Sequence, residues 1–151
     1  MIKRNSKLIH FLITGCLDIL EIGALQADVF ISLGNPEDID INNENNQNEL
    51  HSYYDRSLQI CYYRNKISYY GIYFRYLNSE SMSIVIKNVV FPNRKSITPT
   101  KLQFFLQSEN IFYERNKQLS IDDTFALNIG SNIIAIFCDE IIDSFQVTNF
   151  Q

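Results

Sequence analysis

The chain has 151 residues, 46% of them hydrophobic, and carries a formal net charge of −4. This length is typical of a single domain with a sizeable core. The acidic balance disfavours a general nucleic-acid binder, whose domain usually has an isoelectric point above about 9, and it fits a basic partner. Nine tyrosines and eleven phenylalanines favour β-sheet.

The first segment of the chain has two interpretations. Lys3, Arg4 and Lys7 precede a short apolar run that Cys16 follows, which is the order found in the signal peptide of a bacterial lipoprotein. The run covers only residues 8–13, whereas such a signal needs about 7–15 apolar residues. An intact helix over residues 5–15, in a cytoplasmic protein, is therefore preferred.

The pattern within this segment favours the helix. Asn5 or Ser6 can accept a backbone hydrogen bond at its start, and Gly15 can take the left-handed conformation that ends a helix. One apolar stripe recurs at helical spacing and consists of Leu8, Phe11 and Leu12.

A second helix is predicted over residues 24–33, ended by Gly34 and Pro36. Its expected buried stripe consists of Leu25, Val29, Phe30 and Leu33. Residues 38–52, rich in asparagine and acids, are predicted to form a mobile surface loop.

Alternating apolar residues then predict a β-hairpin over residues 58–76 that turns at Arg64-Asn65. Its inward-facing side chains are expected to be Leu58, Ile60, Tyr62, Tyr70, Ile72 and Phe74. Gly71 inside the return strand indicates a bulge or a close backbone approach. One further strand is predicted over residues 83–91.

A third helix is predicted to begin at Thr98, with Pro99 in its first turn. Its apolar stripe consists of Leu102, Phe105 and Leu106. Residues 110–114 and 123–129 are predicted strands, and residues 132–150 are predicted to form a hairpin that turns at Asp139-Glu140.

The two predicted hairpins align without a gap when 75 is added to the residue number. Leu58 then coincides with Ile133 and Tyr70 with Phe145, and a helix precedes each hairpin. The prediction is one α+β domain, residues 1–151, in which helices pack on antiparallel β-sheet as two tandem units, residues 24–91 and 98–151. The alternative is a chance match between two ordinary hairpins.

Side chains that could hold a metal or perform catalysis lack the required spacing. Cys16, Cys61 and Cys138 are odd in number and far apart, so reduced and mostly buried thiols are expected. His10 and His51 are interpreted as structural or surface residues. The motifs GxGxxG, GxxxxGK[ST], HExxH and GxSxG are absent from the sequence, so no enzyme, metal or cofactor is predicted.

Five segments taken together resemble one bacterial family: FLITG, LQADVFISLGNPEDI, LQICYYRNKISYYGI, KLQFFLQSENIFYE and NIIAIFCDEIIDSFQV. They resemble small immunity proteins encoded beside polymorphic or contact-dependent growth inhibition toxins. In that family a helix ends in Leu-Gly-x-Pro, here Leu33-Gly34-Asn35-Pro36. A later strand ends near Ile-Phe before an acidic turn, here Ile136-Phe137 and Asp139-Glu140. The resemblance implies a protein that neutralises a cognate toxin domain encoded by the adjacent gene.

Two other resemblances accompany this one. The alternation of helix and strands is similar to the tandem units of β-lactamase-inhibitor-like folds. The Leu-Gly-x-Pro helix end also occurs in small outer-membrane assembly lipoproteins. The alternative prediction is therefore a periplasmic lipoprotein anchored through Cys16.

Two acidic groups are candidates for meeting a basic toxin, such as a nuclease. The first consists of Glu37, Asp38, Asp40, Glu44 and Glu49, and the second of Asp139, Glu140 and Asp143. Acidic side chains can steer encounter and stand in for phosphates. The simpler interpretation of each adjacent acidic pair is a solvated turn.

The tyrosines allow three interpretations, of which the first is preferred and the third is the least favoured. Their rings can pack within the sheet, or an outward row of Tyr63, Tyr69 and Tyr73 can form part of a protein interface. With the neighbouring arginines they can also form a stacking surface for single-stranded nucleic acid. The leading prediction is a cytoplasmic immunity protein whose partner is a toxin domain rather than nucleic acid or membrane.

Overall fold

The structure is a computed structural model that describes residues 2–41, 47–79 and 81–149. Within these residues the chain forms three α-helices and ten β-strands. The helices are α1 (Ser6–Thr14), α2 (Gln26–Leu33) and α3 (Pro99–Ser108). The strands are β1 (Asp38–Ile41), β2 (Asn48–Tyr53), β3 (Leu58–Tyr63), β4 (Lys66–Tyr73), β5 (Ile84–Ile86), β6 (Val89–Phe91), β7 (Tyr113–Arg115), β8 (Thr124–Ile129), β9 (Ile133–Cys138) and β10 (Ile141–Val147).

Eight of these strands form one large antiparallel sheet in the order β1-β2-β3-β4-β10-β9-β8-β7. Strands β4 and β10 therefore meet at its centre, and β1 and β7 form its edges. Strands β5 and β6 pair separately as a hairpin. The predicted α+β class with an antiparallel sheet is confirmed.

The hydrophobic core lies on one face of the large sheet. Along β3 and β9 every second side chain is buried, which is the alternation expected of a sheet with one covered face. Four phenylalanine rings join α1, the β5–β6 hairpin and the sheet: Phe11, Phe74, Phe91 and Phe145. The Phe11 ring packs edge-on against Phe91, with 5.3 Å between ring centroids.

Helix α1 is confirmed, and it is part of this core. The Asn5 side chain accepts the N–H of Lys7 at 2.9 Å, and Gly15 closes the helix with a φ of 72°. The Tyr70 hydroxyl of β4 donates to the Gly15 carbonyl oxygen at 2.6 Å. The stripe predicted for this helix, Leu8, Phe11 and Leu12, is almost completely buried.

Replacing Gly15 with alanine is expected to lower the free energy of unfolding by more than the same change at Gly23. Both glycines have positive φ, and a side chain there costs about 1–2 kcal/mol. Only at Gly15 would the added Cβ also lie 3.0 Å from the Asn132 Cβ, whereas nothing lies within 4 Å at Gly23. Denaturant unfolding of both variants measures the difference. Equal losses would show that crowding against Asn132 adds nothing.

The turns and the third helix also agree with the sequence. Arg64-Asn65 and Asp139-Glu140 all have positive φ, as two-residue hairpin turns require. The Thr98 hydroxyl caps α3 by accepting the N–H of Lys101. Its predicted stripe is buried as Leu102, Phe105 and Leu106.

The buried stripe predicted for the second helix is wrong at two of its four positions. Val29 is fully buried and Leu33 half-buried, but Leu25 and Phe30 are 48% and 44% exposed. Helix α2 packs near the β1 edge of the sheet, where Gln26 reaches a side chain of β2. Few helices or strands lie alongside α2 at this position, so the side chains on its flanks remain exposed.

Two further predictions are corrected by the strand pairing. The predicted loop over residues 38–52 contains the paired strands β1 and β2, with residues 42–46 outside the described ranges. The single strand predicted over residues 83–91 is two strands, because Lys87 and Asn88 have positive φ and reverse the chain.

At Gly71, the sequence predicted a bulge or a close backbone approach. The register shift of the β3–β4 pair lies instead between Cys61 and Tyr62. At Gly71 it is a side chain that comes close, since an added Cβ would lie 2.6 Å from the Tyr73 ring.

The three cysteines are free, but the expectation that they are mostly buried is wrong. Cys16 and Cys61 are half-buried and Cys138 is exposed. None of the helices in the described ranges has the length and apolar character needed to cross a bilayer.

Candidate interaction surface

The second face of the large sheet carries mostly exposed and half-buried side chains. One row of this face can be followed through the register of every strand pair. It consists of Asp38, Ser52, Gln59, Gly71, Gln146, Ile134, Asn128 and Glu114. The row is polar at its centre and ends in an acidic side chain at each edge of the sheet.

One end of the sheet is acidic. The antiparallel register brings the start of β1, the β2–β3 turn, the end of β4, the start of β8 and the β9–β10 turn to this end. Seven exposed acids lie on four of these segments, and we call them the acidic end: Glu37, Asp38, Asp55, Asp122, Asp123, Asp139 and Glu140. Their carboxylates form no ion pair with other described residues. They are therefore available to a cationic partner.

A shallow cavity of about 420 Å³ opens beside β1 at this end. Its lining residues are Glu37, Asp38, Ser52, Asp55, Arg56, Tyr76 and Asn78. The lining offers carboxylates of both the β1 start and the β2–β3 turn together with one guanidinium group. It is suited to polar and charged groups of a partner rather than to an apolar ligand.

The β2–β3 turn that forms one wall of this cavity has an unusual backbone. Tyr54, Asp55 and Arg56 all have positive φ, at 53°, 53° and 69°, a region that bulky residues rarely occupy. The Glu37 carboxylate holds the turn by accepting the Asp55 N–H at 2.9 Å. Such a strained backbone persists only where the surrounding structure enforces it. The hydrogen bond to Glu37 therefore helps to fix the backbone position of Arg56.

Arginine and tyrosine side chains stack next to the cavity. The Arg56 guanidinium lies 4.6 Å from the Tyr76 ring centroid, and Arg75 lies 5.3 Å from that of Tyr73. Arg75 also donates to the Asp143 carboxylate at 2.7 Å. Arginine and tyrosine are the residues enriched at energetically important positions of protein interfaces.

The structure places part of the two predicted acidic groups at the same end of the sheet. Glu37, Asp38, Asp139 and Glu140 all belong to the acidic end, although the sequence places them in separate groups. Asp40 follows on β1, on the same face of the sheet as Asp38.

The remaining members of those groups are placed elsewhere. Glu49 lies on the opposite face of the sheet from Asp40, where it contacts Gln26 and His51. Asp143 is buried in its ion pair with Arg75. Glu44 lies outside the described residues.

The acidic groups predicted from the sequence omit three members of the acidic end, Asp55, Asp122 and Asp123, and the sequence interpretation also missed Tyr76. Asp55 was missed because β2 was predicted as loop, so no turn was expected at residues 54–57. Tyr76 lies in a short 3-10 helix that follows β4. Its pairing with Arg56 depends on a contact between separate turns.

The tyrosines divide between two environments. Tyr53, Tyr62 and Tyr70 are buried, as the packed-sheet interpretation predicts. Tyr63 and Tyr69 are 42% and 38% exposed on the open face, and Tyr73 is half-buried on the same face, at the other end of the β3–β4 pair from Tyr63.

Burial raises the pKa of the Tyr73 hydroxyl to about 12, with nearby Tyr69 adding to the shift and Arg75 opposing it. Burial also raises the pKa values of Tyr62 and Tyr70. An unfolded tyrosine ionises near pH 10, so the folded state holds these protons more tightly.

Alkaline pH is therefore expected to destabilise the protein. The raised pKa values contribute stability that is fully present below about pH 10 and is lost as the pH rises toward 12. When the folded protein is titrated, phenolate absorbance should show a fraction of tyrosines that ionises above about pH 10. The Tyr73→Phe variant should have a smaller fraction of this kind. Ionisation of all tyrosines near pH 10 in the folded protein would contradict this prediction.

The histidines behave as structural and surface residues. His51 is buried, with its Nε2 3.0 Å from the Glu49 carboxylate and its ring edge-on to Tyr62, whereas His10 is exposed. In residues 2–41, 47–79 and 81–149, no three His, Cys, Asp or Glu side chains come together as metal ligands.

Comparison with known proteins gives no relative. No family model matches the chain, and neither a curated protein nor a solved structure matches it. A functional assignment therefore depends on the surface itself and on the resemblance in sequence pattern.

Proposed function

We propose that this protein is an immunity protein that binds one cognate toxin domain, encoded by the adjacent gene, and blocks its active site or access to its substrate. The observation that carries the proposal is the acidic end, where seven exposed carboxylates from four separate segments lie at the same end of the sheet. The resemblance to immunity proteins of toxin systems supports it. The proposed action is cytoplasmic and uses no catalysis and no cofactor.

A nuclease toxin is the kind of target that suits this surface. The active site of such an enzyme is basic because it binds phosphates, and carboxylates can occupy the same positions. Clustered charge also accelerates encounter with an oppositely charged partner. The stacked Arg56–Tyr76 pair next to the acids supplies planar side chains that can be buried in the centre of the contact.

The alternative, a lipoprotein anchored through Cys16, is disfavoured by the position of α1. Cleavage before Cys16 would remove the helix that contributes Phe11 to the core and the Gly15 carbonyl to the Tyr70 hydrogen bond. The remaining sheet would then expose the apolar surface that α1 covers, at a large cost in stability.

The proposal includes the two tandem units predicted from the sequence. The strand order supports it, since β1 to β4 and β7 to β10 occupy mirrored positions on either side of the centre. Ile72 lies opposite Phe145 and Tyr70 opposite Val147. Adding 75 to the residue number relates Tyr70 to Phe145 and Ile72 to Val147, so each residue lies opposite the counterpart of the other. Two similar hairpins that are related by a two-fold axis give this pairing.

The test is to purify the protein with the polypeptide encoded immediately upstream and measure their association by calorimetry. We expect a one-to-one complex of nanomolar affinity and rescue of cells that express the neighbour. Absence of both binding and rescue would remove the immunity proposal. Partition with membranes and loss of the first fifteen residues would instead favour the lipoprotein alternative.

A further inference from the structure

Strand β1 is an open edge of the large sheet. All four of its residues are exposed, and among the described residues no strand pairs with its outer side. Along such an edge alternate backbone N–H and C=O groups point away from the sheet and can pair with another strand. The backbone of β1 is thus ready to accept one more strand.

The side chains of β1 alternate between acidic and apolar. Asp38 and Asp40 lie on the open face, while Ile39 and Ile41 lie on the core-facing side, opposite His51 and Glu49 of β2. Ile39 and Ile41 are nevertheless 48% and 42% exposed. An added strand would meet carboxylates on one face and aliphatic surface on the other.

A further exposed apolar side chain lies on α2. Phe30 is 44% exposed and stands one helical turn from Gln26, on the same flank of the helix. The Gln26 side chain reaches the Glu49 carboxylate at 2.9 Å, and Glu49 lies opposite Ile41. Phe30 therefore shares a flank of α2 with Gln26, whose side chain reaches β2, the strand next to β1.

We propose that β1 binds an extended segment of the toxin domain as an additional strand, in which basic and apolar side chains alternate. The basic side chains pair with Asp38 and Asp40, and the apolar ones cover Ile39 and Ile41. This inference rests on the proposed function and names the segment that the inhibitor recognises. Backbone pairing supplies affinity, and the alternation supplies specificity.

Charge selects this occupant over a second copy of the same chain. Pairing of β1 with β1 would bring the carboxylates of Asp38 and Asp40 next to those of the partner copy, and like charges at neighbouring positions are unfavourable. The opposite edge differs, because β7 is only three residues long and carries Glu114 and Arg115. The alternation of acidic and aliphatic side chains is found at the β1 edge of the sheet and not at the β7 edge.

The experiment uses the full chain and a synthetic eight-residue peptide that alternates lysine and valine. A second peptide of the same composition, with its lysines and valines in two blocks, controls for charge alone. We expect the alternating peptide to bind at least tenfold more tightly and to shift the backbone amide signals of residues 38–41. Equal affinity for both peptides, or shifts confined to another part of the sheet, would overturn the proposal.

Charge variants complete the test. The double variant Asp38→Lys with Asp40→Lys should lower the affinity for the alternating peptide at least tenfold. The double variant Asp38→Asn with Asp40→Asn should lower this affinity to a smaller extent. Glu114→Lys, at the other end of the same row, should leave the affinity unchanged. Concentration-dependent self-association through β1 in sedimentation would contradict the proposed occupant. The peptide experiment uses no toxin, so absence of peptide binding would not contradict the immunity proposal. Likewise, absence of toxin binding would not contradict peptide binding at β1.

Discussion

Replacing Asp123 and Asp139 with lysine is expected to slow association with the toxin domain by about tenfold or more at low salt. Both residues are exposed at the acidic end, on segments that adjoin through the hydrogen bond from the Asp139 N–H to the Asp123 carbonyl. The double change adds four units of positive charge where the proposal requires negative charge. A basic partner would then be repelled by a surface that otherwise attracts it.

Stopped-flow mixing at several salt concentrations measures this effect. Lysine at position 139 is compatible with the turn, since Lys87 has a φ of 48° at the first position of a similar turn. The matched control is Asp28→Lys with Glu114→Lys, which makes the same charge change at exposed sites away from the acidic end. An equal slowing by both variants would show that net charge alone governs encounter. No slowing by Asp123→Lys with Asp139→Lys would argue against the acidic end as the contact surface.

Replacing Phe11 with alanine is expected to lower the free energy of unfolding by about 3–5 kcal/mol, the range for a buried phenylalanine. The side chain is fully buried and contacts the rings of Phe91 and Phe145. Its removal leaves a cavity between α1, the β5–β6 hairpin and the centre of the sheet. A loss of this size is a large share of the stability of a domain.

Chemical denaturation of Phe11→Ala and Phe104→Ala provides the comparison. Phe104 lies on α3 and is 64% exposed, so its replacement controls for the loss of a helical phenylalanine without a cavity. A small effect at Phe104 with a large effect at Phe11 would establish α1 as part of the core. Equal and small effects would revive the interpretation of the first fifteen residues as a removable signal.

The elements that could be predicted from the sequence have signals within a few neighbouring residues. Helix α1 is one, because Asn5 and Gly15 mark its ends and its buried stripe recurs at helical spacing. The turns at Arg64-Asn65 and Asp139-Glu140 are others, because each contains an asparagine or aspartate that tolerates positive φ. Local capping and turn chemistry were sufficient at each of these positions.

Strand β1 and helix α2 required information from distant residues. Asp38 to Ile41 looks like loop in sequence, and it becomes a strand because β2 supplies a hydrogen-bonding partner. Leu25 and Phe30 follow a helical stripe, yet they remain exposed because α2 packs beside β2, the strand next to the edge of the sheet. A strand exists only through its neighbours, and burial depends on which elements lie alongside.

By itself the sequence determined the acidic charge, the helix ends, the hairpin turns and the buried faces of the central strands. Only the tertiary structure decided which acids share a surface. It joins Glu37 to Asp55 through a hydrogen bond from the Asp55 N–H to the Glu37 carboxylate. It also places Asp139 at the same end of the sheet and holds Asp143 in an ion pair with Arg75. The physical reason is that charge is a property of each residue, whereas proximity between residues far apart in the chain is set by strand order and register.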